Sequence, residues 1–138
     1  MKISVFLDTD VVISSIISDL GAAYLIINEN LKVDKYVSDK SVLEIQRVAE
    51  RLGLEKSKVM QVLGNFKLVR NTDTKKYRQY TFDNFDEPII NGVAEAKVKF
   101  LITYNLKHYD LEKIKRELDI LVMPPGKFLQ YLRSINHR

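Results

Sequence analysis

The feature that most constrains the fold of this chain is a short apolar run near its N-terminus that ends in two acids. Residues 3 to 7, Ile-Ser-Val-Phe-Leu, are typical of a fully buried parallel strand, and Asp8 and Asp10 follow it directly. In an open α/β sheet, ligands bind in the crevice beyond the carboxyl ends of the strands, where an acid can face a cation. The alternative is that the two acids only turn the chain, with Thr9 or Asp10 as the N-cap of the next helix.

The composition indicates a globular protein of one-domain size. The chain has 138 residues, of which 46% are hydrophobic and 29% charged, so we expect a single domain over residues 1–138. Because no apolar run is long enough to span a bilayer and the N-terminal run lacks a signal-peptide layout, we expect a cytoplasmic protein without a membrane partner. The absence of cysteine excludes disulfides, thiolate catalysis and zinc–cysteine sites.

Charge and histidine content narrow the choice of partner and metal. The net charge of +4 permits a polyanionic partner such as RNA. The two histidines, His108 and His137, lie too far apart in sequence to suggest a histidine-based metal site, and we expect His108 to be a surface or partly packed residue. Any metal is therefore expected to be a hard cation bound through oxygen, Mg²⁺ or Mn²⁺.

Apolar runs typical of strands alternate with helical patterns along the whole chain. This alternation predicts one α/β domain with a mainly parallel central sheet of four to five strands, flanked by helices and joined by right-handed crossovers. The predicted strands cover residues 3–7, 33–37, 68–69, 100–103 and 120–123.

The helix predicted after the second strand carries an acid among apolar residues. We expect it to begin at Ser38 as N-cap and to end at Gly53. Glu44 lies one turn before the apolar Val48, so it is not on a plainly solvated face. A glutamate in this position needs a partner or a metal, unless it lies at the edge of the apolar stripe and extends to water.

Two further polar residues accompany later elements. Asp86 fits the N-cap of the helix before the fourth strand, with Pro88 in its first turn, and Asn105 lies just past that strand. Together with Asp8 and Glu44 they can reach one crevice at the carboxyl edge of the sheet. Carboxylates that share a pocket raise each other's pKa unless a cation neutralises them. A bound Mg²⁺ or Mn²⁺ would also activate water and stabilise charge on a transferring phosphate.

Residues 71–80 form a polar, basic stretch that we expect to be a surface loop. It contains Lys75, Lys76 and Arg78 together with two tyrosines. The stretch is either a solvated connection or a contact surface for phosphates, with the tyrosines able to stack on bases.

Four segments, in order, resemble the PIN domain family. Val-Phe-Leu-Asp-Thr-Asp-Val-Val-Ile-Ser is similar to its opening strand and first acid, Asp8, and Ser-Asp-Lys-Ser-Val-Leu-Glu-Ile to the segment with its glutamate, Glu44. Asp-Glu-Pro-Ile-Ile-Asn-Gly-Val-Ala is similar to its third acid segment, here Asp86. Phe-Leu-Ile-Thr-Tyr-Asn-Leu-Lys-His-Tyr is similar to the Thr-x-Asp stretch after its fourth strand. The resemblance covers nearly the whole chain.

The resemblance implies a Mg²⁺- or Mn²⁺-dependent endoribonuclease, often the toxin of a VapC-type toxin–antitoxin pair and often a homodimer. It assigns the metal to the catalytic residues Asp8, Glu44 and Asp86 and leaves Asp10 and Asn105 as further ligands or water positioners. Thr103 would hydrogen-bond an acid or a water, and Lys75, Lys76 and Arg78 would contact the RNA backbone. The chain departs from the family at Asn105, where many members have Asp, and at Asp10, where many have Asn.

Two other functions remain open at this point. Asp8-Thr-Asp10-Val-Val is also similar to the opening of haloacid-dehalogenase-like phosphatases, in which Asp8 would be the nucleophile and Asp10 a general acid. That likeness stops after the first strand, since no acid cluster follows the later strands. The third reading is a catalytically weakened PIN-fold module that binds RNA or protein, which Asn105 supports.

Overall fold

A five-stranded parallel sheet forms the centre of the computed structural model, which describes residues 2–29 and 32–136. The strand order is β3-β2-β1-β4-β5, and every neighbouring pair is parallel. The strands are β1 (Ile3–Leu7), β2 (Val33–Ser38), β3 (Lys67–Val69), β4 (Phe100–Ile102) and β5 (Leu121–Met123). The predicted α/β fold with a parallel central sheet is confirmed. His137 lies outside the described residues.

Helices follow the strands in the predicted alternation. The α-helices are α1 (Thr9–Ile17), α2 (Ala22–Tyr24), α3 (Asp39–Arg51), α4 (Lys56–Leu63), α5 (Glu87–Ala96), α6 (Leu111–Leu118) and α7 (Pro125–Asn136). Helix α2 continues as the π-helix Leu25–Glu29, and three 3₁₀ helices cover Thr74–Tyr80, Asn84–Asp86 and Leu106–His108.

The sheet separates two apolar clusters, because neighbouring side chains of β1 point to opposite faces. Val5 and Leu7 pack in one cluster with α1, α3, α4 and α7, where Ile45 and Phe128 are fully buried. Phe6 packs in the other cluster with α5 and α6. The result is three layers, with β1 buried at the centre as the sequence predicted.

The register of the central strands decides which polar residues meet at the sheet edge. Leu7 of β1 pairs with Ile102 of β4. The N–H of Asp8 then donates to the carbonyl of Ile102 at 3.0 Å, so the pairing extends by one step beyond the strands. Asp8 and Thr103 are therefore neighbours at the carboxyl edge, although 95 residues separate them in the chain.

The predicted ends of helix α3 are confirmed, whereas the predicted cap of α1 is wrong. Ser38 caps α3 in a reciprocal capping box with Ser41, and Gly53 follows the helix with a φ of +72°, which glycine adopts without strain. Neither Thr9 nor Asp10 caps α1. Asp8 is the N-cap, because its extended backbone lets the carboxylate accept a hydrogen bond from the N–H of Thr9.

The basic stretch at residues 71–80 is more ordered than the predicted loop. Its residues Thr74–Tyr80 form a 3₁₀ helix, which Asp73 caps by accepting a hydrogen bond from the N–H of Lys75. Tyr80 is buried in the cluster beneath α5, together with the partly buried Tyr77. The two tyrosines recur at the three-residue spacing of a 3₁₀ turn, and their burial fixes the segment on the domain.

Within the described ranges, no single helix is long and apolar enough to cross a membrane. Helix α1 and the following helical segment Ala22–Glu29 pass that test only as a pair bent by 101°. Both contribute buried residues to the apolar core, among them Val12, Ile16 and Ile26.

Candidate functional site

Asp8 is the buried centre of the candidate site. Its Oδ1 accepts a hydrogen bond from the N–H of Thr9 at 2.7 Å. Its Oδ2 accepts from the hydroxyls of Thr103, at 2.9 Å, and Tyr109, at 2.7 Å. Only 5% of Asp8 is exposed, and this burial raises the pKa of its carboxyl above the usual value against the opposing effect of the hydrogen bonds.

Asp10 lies beside Asp8 in the first turn of α1. Its Oδ2 accepts a hydrogen bond from the backbone N–H of Tyr104 at 3.0 Å. Its Oδ1 is buried and has no hydrogen-bond partner in the part of the chain that the structure describes. Burial and the charge of Asp8 raise the pKa of Asp10 to about 7. Oδ1 of Asp10 therefore lacks the hydrogen bond that stabilises most buried polar atoms, and a bound cation would stabilise it instead.

Asp86 reaches the same site from the start of α5. It occupies the predicted N-cap position, but its side chain makes no capping hydrogen bond. Instead, Oδ2 lies 3.0 Å from Nδ1 of His108, and Oδ1 lies 3.4 Å from the hydroxyl of Tyr109. Burial and the charge of Asp8 raise the pKa of Asp86 to about 6, although His108 acts in the opposite direction.

Tyr109 connects two of these acids. Its ring is among the largest fully buried side chains of the protein, and its hydroxyl lies between the carboxylates of Asp8 and Asp86. Burial and the charge of Asp8 raise the pKa of Tyr109 well above its usual value. The hydroxyl therefore stays protonated and donates to the acids.

A cleft of about 840 Å³ opens above these three acids. Glu44 and Asn105 line it as well, so the structure brings all five predicted metal ligands to one cavity. Glu44 is half-exposed and is the most solvent-exposed of the predicted acidic ligands. Its carboxylate pairs with Arg47 at 2.7 Å. Asn105 is exposed, and its backbone N–H donates to the hydroxyl of Thr103 at 3.0 Å.

The predicted RNA-contact residues lie elsewhere. The 3₁₀ helix Thr74–Tyr80 exposes Lys75, Lys76 and Arg78 to solvent. Among the described residues that line the cleft, none of these three is found. Nε of Arg78 pairs at 2.8 Å with the carboxylate of Glu87, which is only 5% exposed. Arg78 is thus committed to a nearly buried acid, whereas the two lysines extend into solvent.

Sequence reasoning missed Asp83, His108 and Tyr109 as parts of the site. One ligand atom from each of Asp83, Asp86 and His108 lies within 4.8 Å of the others. His108 is partly buried, as expected, but its ring faces an acid at the cleft. The only sequence signal was the proximity of these residues to Asp86 and Thr103, since nothing in the pattern shows the 3₁₀ turn that directs them inward.

The donor set fits a hard or borderline divalent cation. Three carboxylates with raised pKa values repel each other when ionised, and a cation would relieve that repulsion. The oxygen of Asp10 that lacks a partner lies among them. Carboxylate and amide oxygens are the ligands that Mg²⁺ and Mn²⁺ prefer, so the residues present suit the predicted type of metal.

Comparison with known families identifies the fold. The sequence profile described as "PIN domain" matches residues 4–107. This chain belongs to the PIN domain family. PIN domains are generally nucleases and typically use divalent metals, and the acidic cluster around Asp8 occupies the matched region of this PIN domain. A search among curated proteins gave no significant match.

Solved structures share the PIN fold at low sequence identity. VapBC2 from Rickettsia felis, bound to a DNA fragment from their promoter, matches with a TM-score of 0.60 and 16% identity over 87% of this chain and 97% of that one. PAE2754 from Pyrobaculum aerophilum matches with a TM-score of 0.61 and 14% identity, over 96% of this chain and 90% of that one. FitAcB from Neisseria gonorrhoeae matches with a TM-score of 0.56 and 16% identity, over 88% of this chain and 98% of that one. At such identities the likeness establishes the fold alone.

The family match ends just before two residues of the site. It stops at residue 107, whereas His108 and Tyr109 follow immediately. Both contact Asp86, and Tyr109 also contacts Asp8. The matched region therefore contains Asp8 and Asp86, whereas two of the residues that contact them lie directly after its last residue.

Proposed function

We propose that this PIN domain is a Mg²⁺- or Mn²⁺-dependent endoribonuclease that hydrolyses RNA phosphodiesters as the toxin of a toxin–antitoxin pair. The observation that carries the proposal is the convergence of Asp8, Asp10 and Asp86, with raised pKa values, on one open cleft. Such a group of acids is costly to ionise without a cation, and a cation at this place would lie where a phosphate can enter.

The residues of the cleft would have different roles in metal binding, depending on their surroundings. Asp8 and Asp86 both line the cleft and both contact the hydroxyl of Tyr109, and they would hold the metal together with Glu44. The free Oδ1 of Asp10 and the amide of Asn105 would ligate the ion or orient the attacking water. When bound, the metal would activate that water and stabilise negative charge on the phosphate.

Neighbouring hydroxyls keep the first acid in place. Thr103 and Tyr109 both donate to Oδ2 of Asp8, and Thr9 donates to Oδ1. Each oxygen of a carboxylate has two lone pairs, so these bonds leave one lone pair of Oδ1 for a metal. The ligand is therefore held in a single orientation before any ion binds, which favours productive geometry.

RNA would reach the cleft across a mildly basic surface. The net charge is +4, and Lys75 and Lys76 are exposed on the segment next to α5. Arg47 and Lys40 also line the cleft. Cations at these places attract a phosphate backbone without reading its sequence.

The rim of the cleft suits a protein partner. Ile17, Leu43 and Phe85 line the cleft although 59%, 60% and 87% of these side chains are exposed. Apolar side chains grouped beside an acidic site favour an inhibitory protein that covers both, as an antitoxin would. The fold is shared with VapBC2 and FitAcB, which supports an antitoxin partner. The homodimer that we also propose rests on the family resemblance alone.

The other functions have less support. A PIN-fold module that only binds RNA or protein remains the second candidate, because Asn105 contributes no charge to the site. The phosphatase function requires an accessible nucleophile, whereas residue Asp8 is 5% exposed and its carboxylate accepts three hydrogen bonds. Its sequence likeness is also limited to the first strand and turn.

The test is cleavage of end-labelled structured RNA in Mn²⁺, in Mg²⁺ and in EDTA, by the wild-type protein and by Asp8→Asn. We expect cleavage with metal, none in EDTA, and a loss of at least 100-fold in the variant. Asp119→Asn, which changes an exposed acid far along the chain, serves as the matched control and is expected to cleave normally. Equal cleavage by the wild-type protein and Asp8→Asn, or metal binding without cleavage of any RNA, would reject the nuclease.

A further inference from the structure

His108 is held in a fixed position beside the acids. It ends the 3₁₀ helix Leu106–His108, where its N–H donates to the carbonyl of Asn105 at 3.1 Å. Its own carbonyl accepts from the N–H of Phe82 at 2.7 Å. With the backbone fixed on both sides, the ring lines the cleft and places Nδ1 3.0 Å from Oδ2 of Asp86.

The separation between His108 and Asp86 is compatible with two ligands of one ion. Two neighbouring ligands of an octahedral cation, each about 2.1 Å from it, lie about 3.0 Å apart. Nδ1 of His108 and Oδ2 of Asp86 have this separation. One ligand atom from each of Asp83, Asp86 and His108 lies within 4.8 Å of the others, and Oδ1 of Asp83 accepts a hydrogen bond from the N–H of Phe85 at 2.9 Å.

A second observation, on Asp10, favours a cation in the same cavity. Oδ1 of Asp10 is buried without a hydrogen-bond partner among the described residues and belongs to the same cleft as His108. The site therefore combines several carboxylate oxygens with one imidazole nitrogen. Imidazole is a common ligand for transition metals, whereas Mg²⁺ binds almost entirely through oxygen.

We propose that His108 is a nitrogen ligand of the metal, with Asp86 and Asp83 beside it, and that it makes the site prefer a transition-metal ion such as Mn²⁺ to Mg²⁺. The inference rests on the proposed function, which leaves the two ions undistinguished. A metal can bind Nδ1 only when that nitrogen carries no proton, so any proton there would be released to solvent and the neutral imidazole would carry its single proton on Nε2.

Electron spin-echo envelope modulation of the Mn²⁺-loaded protein tests this ligand directly, because the method detects nitrogen bound to Mn²⁺. We expect a ¹⁴N coupling in the wild-type protein that changes to a ¹⁵N coupling when only the histidines are ¹⁵N-labelled. His108→Gln is expected to lose the coupling and to bind Mn²⁺ about tenfold more weakly or worse, with a smaller change for Mg²⁺. His137→Gln, which removes the only other histidine of the sequence, is the matched control and is expected to keep the coupling.

The outcomes separate this inference from the proposed function. Bound Mn²⁺ without a histidine nitrogen coupling, or a coupling that persists in His108→Gln, would overturn the inference. If RNA cleavage still required metal and Asp8 in that case, the nuclease would stand without His108 as ligand. Failure of the wild-type protein to bind Mn²⁺ at millimolar concentration would overturn both the inference and the metal dependence. The ¹⁵N experiment needs no variant, so the test holds even if His108→Gln folds poorly.

Discussion

At the scale of residues, the site depends on hydrogen bonds that orient acids before a metal arrives. Asp8 accepts from Thr9, its neighbour in the chain, and from Thr103 and Tyr109, which follow β4. These donors partly offset the cost of burying a carboxylate. Asp10 has no such set of donors for its Oδ1. The two neighbouring acids therefore differ, since one is oriented by the protein and the other is left to a ligand.

Tyr109→Phe tests the oriented acid. The change removes a hydroxyl that donates to Asp8 at 2.7 Å and leaves the ring in place. We expect a loss of about 1 to 2 kcal/mol in the free energy of unfolding. Metal-dependent cleavage should fall about tenfold, as for other residues that support a metal ligand. Because this hydrogen bond lowers the pKa of Asp8, the rise of cleavage rate with pH should also move to higher pH.

The pH shift separates positioning from general destabilisation. Tyr131→Phe, which alters a half-exposed tyrosine of α7, is the control and should leave the profile unchanged. A Tyr109→Phe protein with the wild-type profile of cleavage rate against pH would show that the hydroxyl has no part in setting the state of Asp8.

The raised pKa of Asp10 predicts how the free energy of unfolding of the metal-free protein depends on pH. Its pKa is about 7 in the folded protein and near 3.9 in the unfolded chain, so the folded state binds more protons between these values. The stabilising contribution of protonated Asp10 is thus complete below pH 4 and is lost as pH rises through 7. One pKa unit corresponds to about 1.4 kcal/mol, and partial exposure reduces the effect, so we expect Asp10→Asn to be more stable by about 1 to 2 kcal/mol at pH 8.

The measurement is urea unfolding in EDTA at pH 4 and pH 8 for both proteins. Wild-type protein and Asp10→Asn should have similar free energies of unfolding at pH 4 and diverge at pH 8. If the variant is less stable at both values, the charge of Asp10 is not costly in the folded state, and the argument from repulsion fails.

At the scale of elements, the close packing of α5 on β1 places Asp86 near Asp8. Gly92 of α5 packs on Phe6 of β1, and a Cβ at Gly92 would lie 2.6 Å from Cε2 of that ring. The same Cβ would lie 3.2 Å from Cβ of Ser38, and Phe6 is itself fully buried. The small residue allows the helix to lie close to the sheet, and Asp86 at its start is placed accordingly.

Gly92→Ala should therefore affect both folding and the site. Overpacking at this contact is expected to cost about 1 to 3 kcal/mol in the free energy of unfolding. Displacement of α5 should also weaken Mn²⁺ binding. Gly126→Ala is the matched control, since it is also helical and its Cβ would meet nothing within 4 Å. Thermal unfolding and Mn²⁺ titration of the two variants give the answer, and equal behaviour of both would contradict the close contact.

Elements were also the scale at which sequence reasoning worked best. The apolar runs placed all five strands, and Ser38 and Gly53 marked the ends of α3, because strand burial and helix capping are local properties. The parallel sheet then predicted that Asp8 and Asn105 share an edge. The 3₁₀ helix Thr74–Tyr80 was missed, because its order comes from Tyr80 packing beneath α5 and not from its polar sequence.

The details of the site could not be predicted, because they depend on contacts between distant residues. The hydroxyl of Tyr109 reaches Asp8 across 101 residues, and only the pairing of β1 with β4 makes this possible. Glu44 was expected either to need a partner or a metal or to extend to water from the edge of the apolar stripe, and its exposed fraction depends on how α3 packs, whereas its pairing with Arg47 three residues on is local. The inward direction of His108 depends in the same way on its backbone bond to Phe82.

At the scale of the whole molecule, the stability of the domain and its metal site are linked. The acids converge at the centre of the sheet edge, where β1 and β4 meet α1 and α5. Charge repulsion there opposes folding, and any ion that binds only the folded state stabilises it according to its concentration. The RNA target is not needed to observe this effect.

The most direct test of the central claim, that this acidic cluster holds a divalent cation, is thermal unfolding at pH 7.5 with increasing Mn²⁺. We expect the Tm of the wild-type protein to rise, with a stabilisation of about 2.7 kcal/mol at a concentration 100 times the Kd. Asp8→Asn should lose most of this rise, whereas Glu112→Gln, a control on the surface of α6, should keep it. An equal rise for the wild-type protein and Asp8→Asn, or no rise at any Mn²⁺ concentration, would contradict the account.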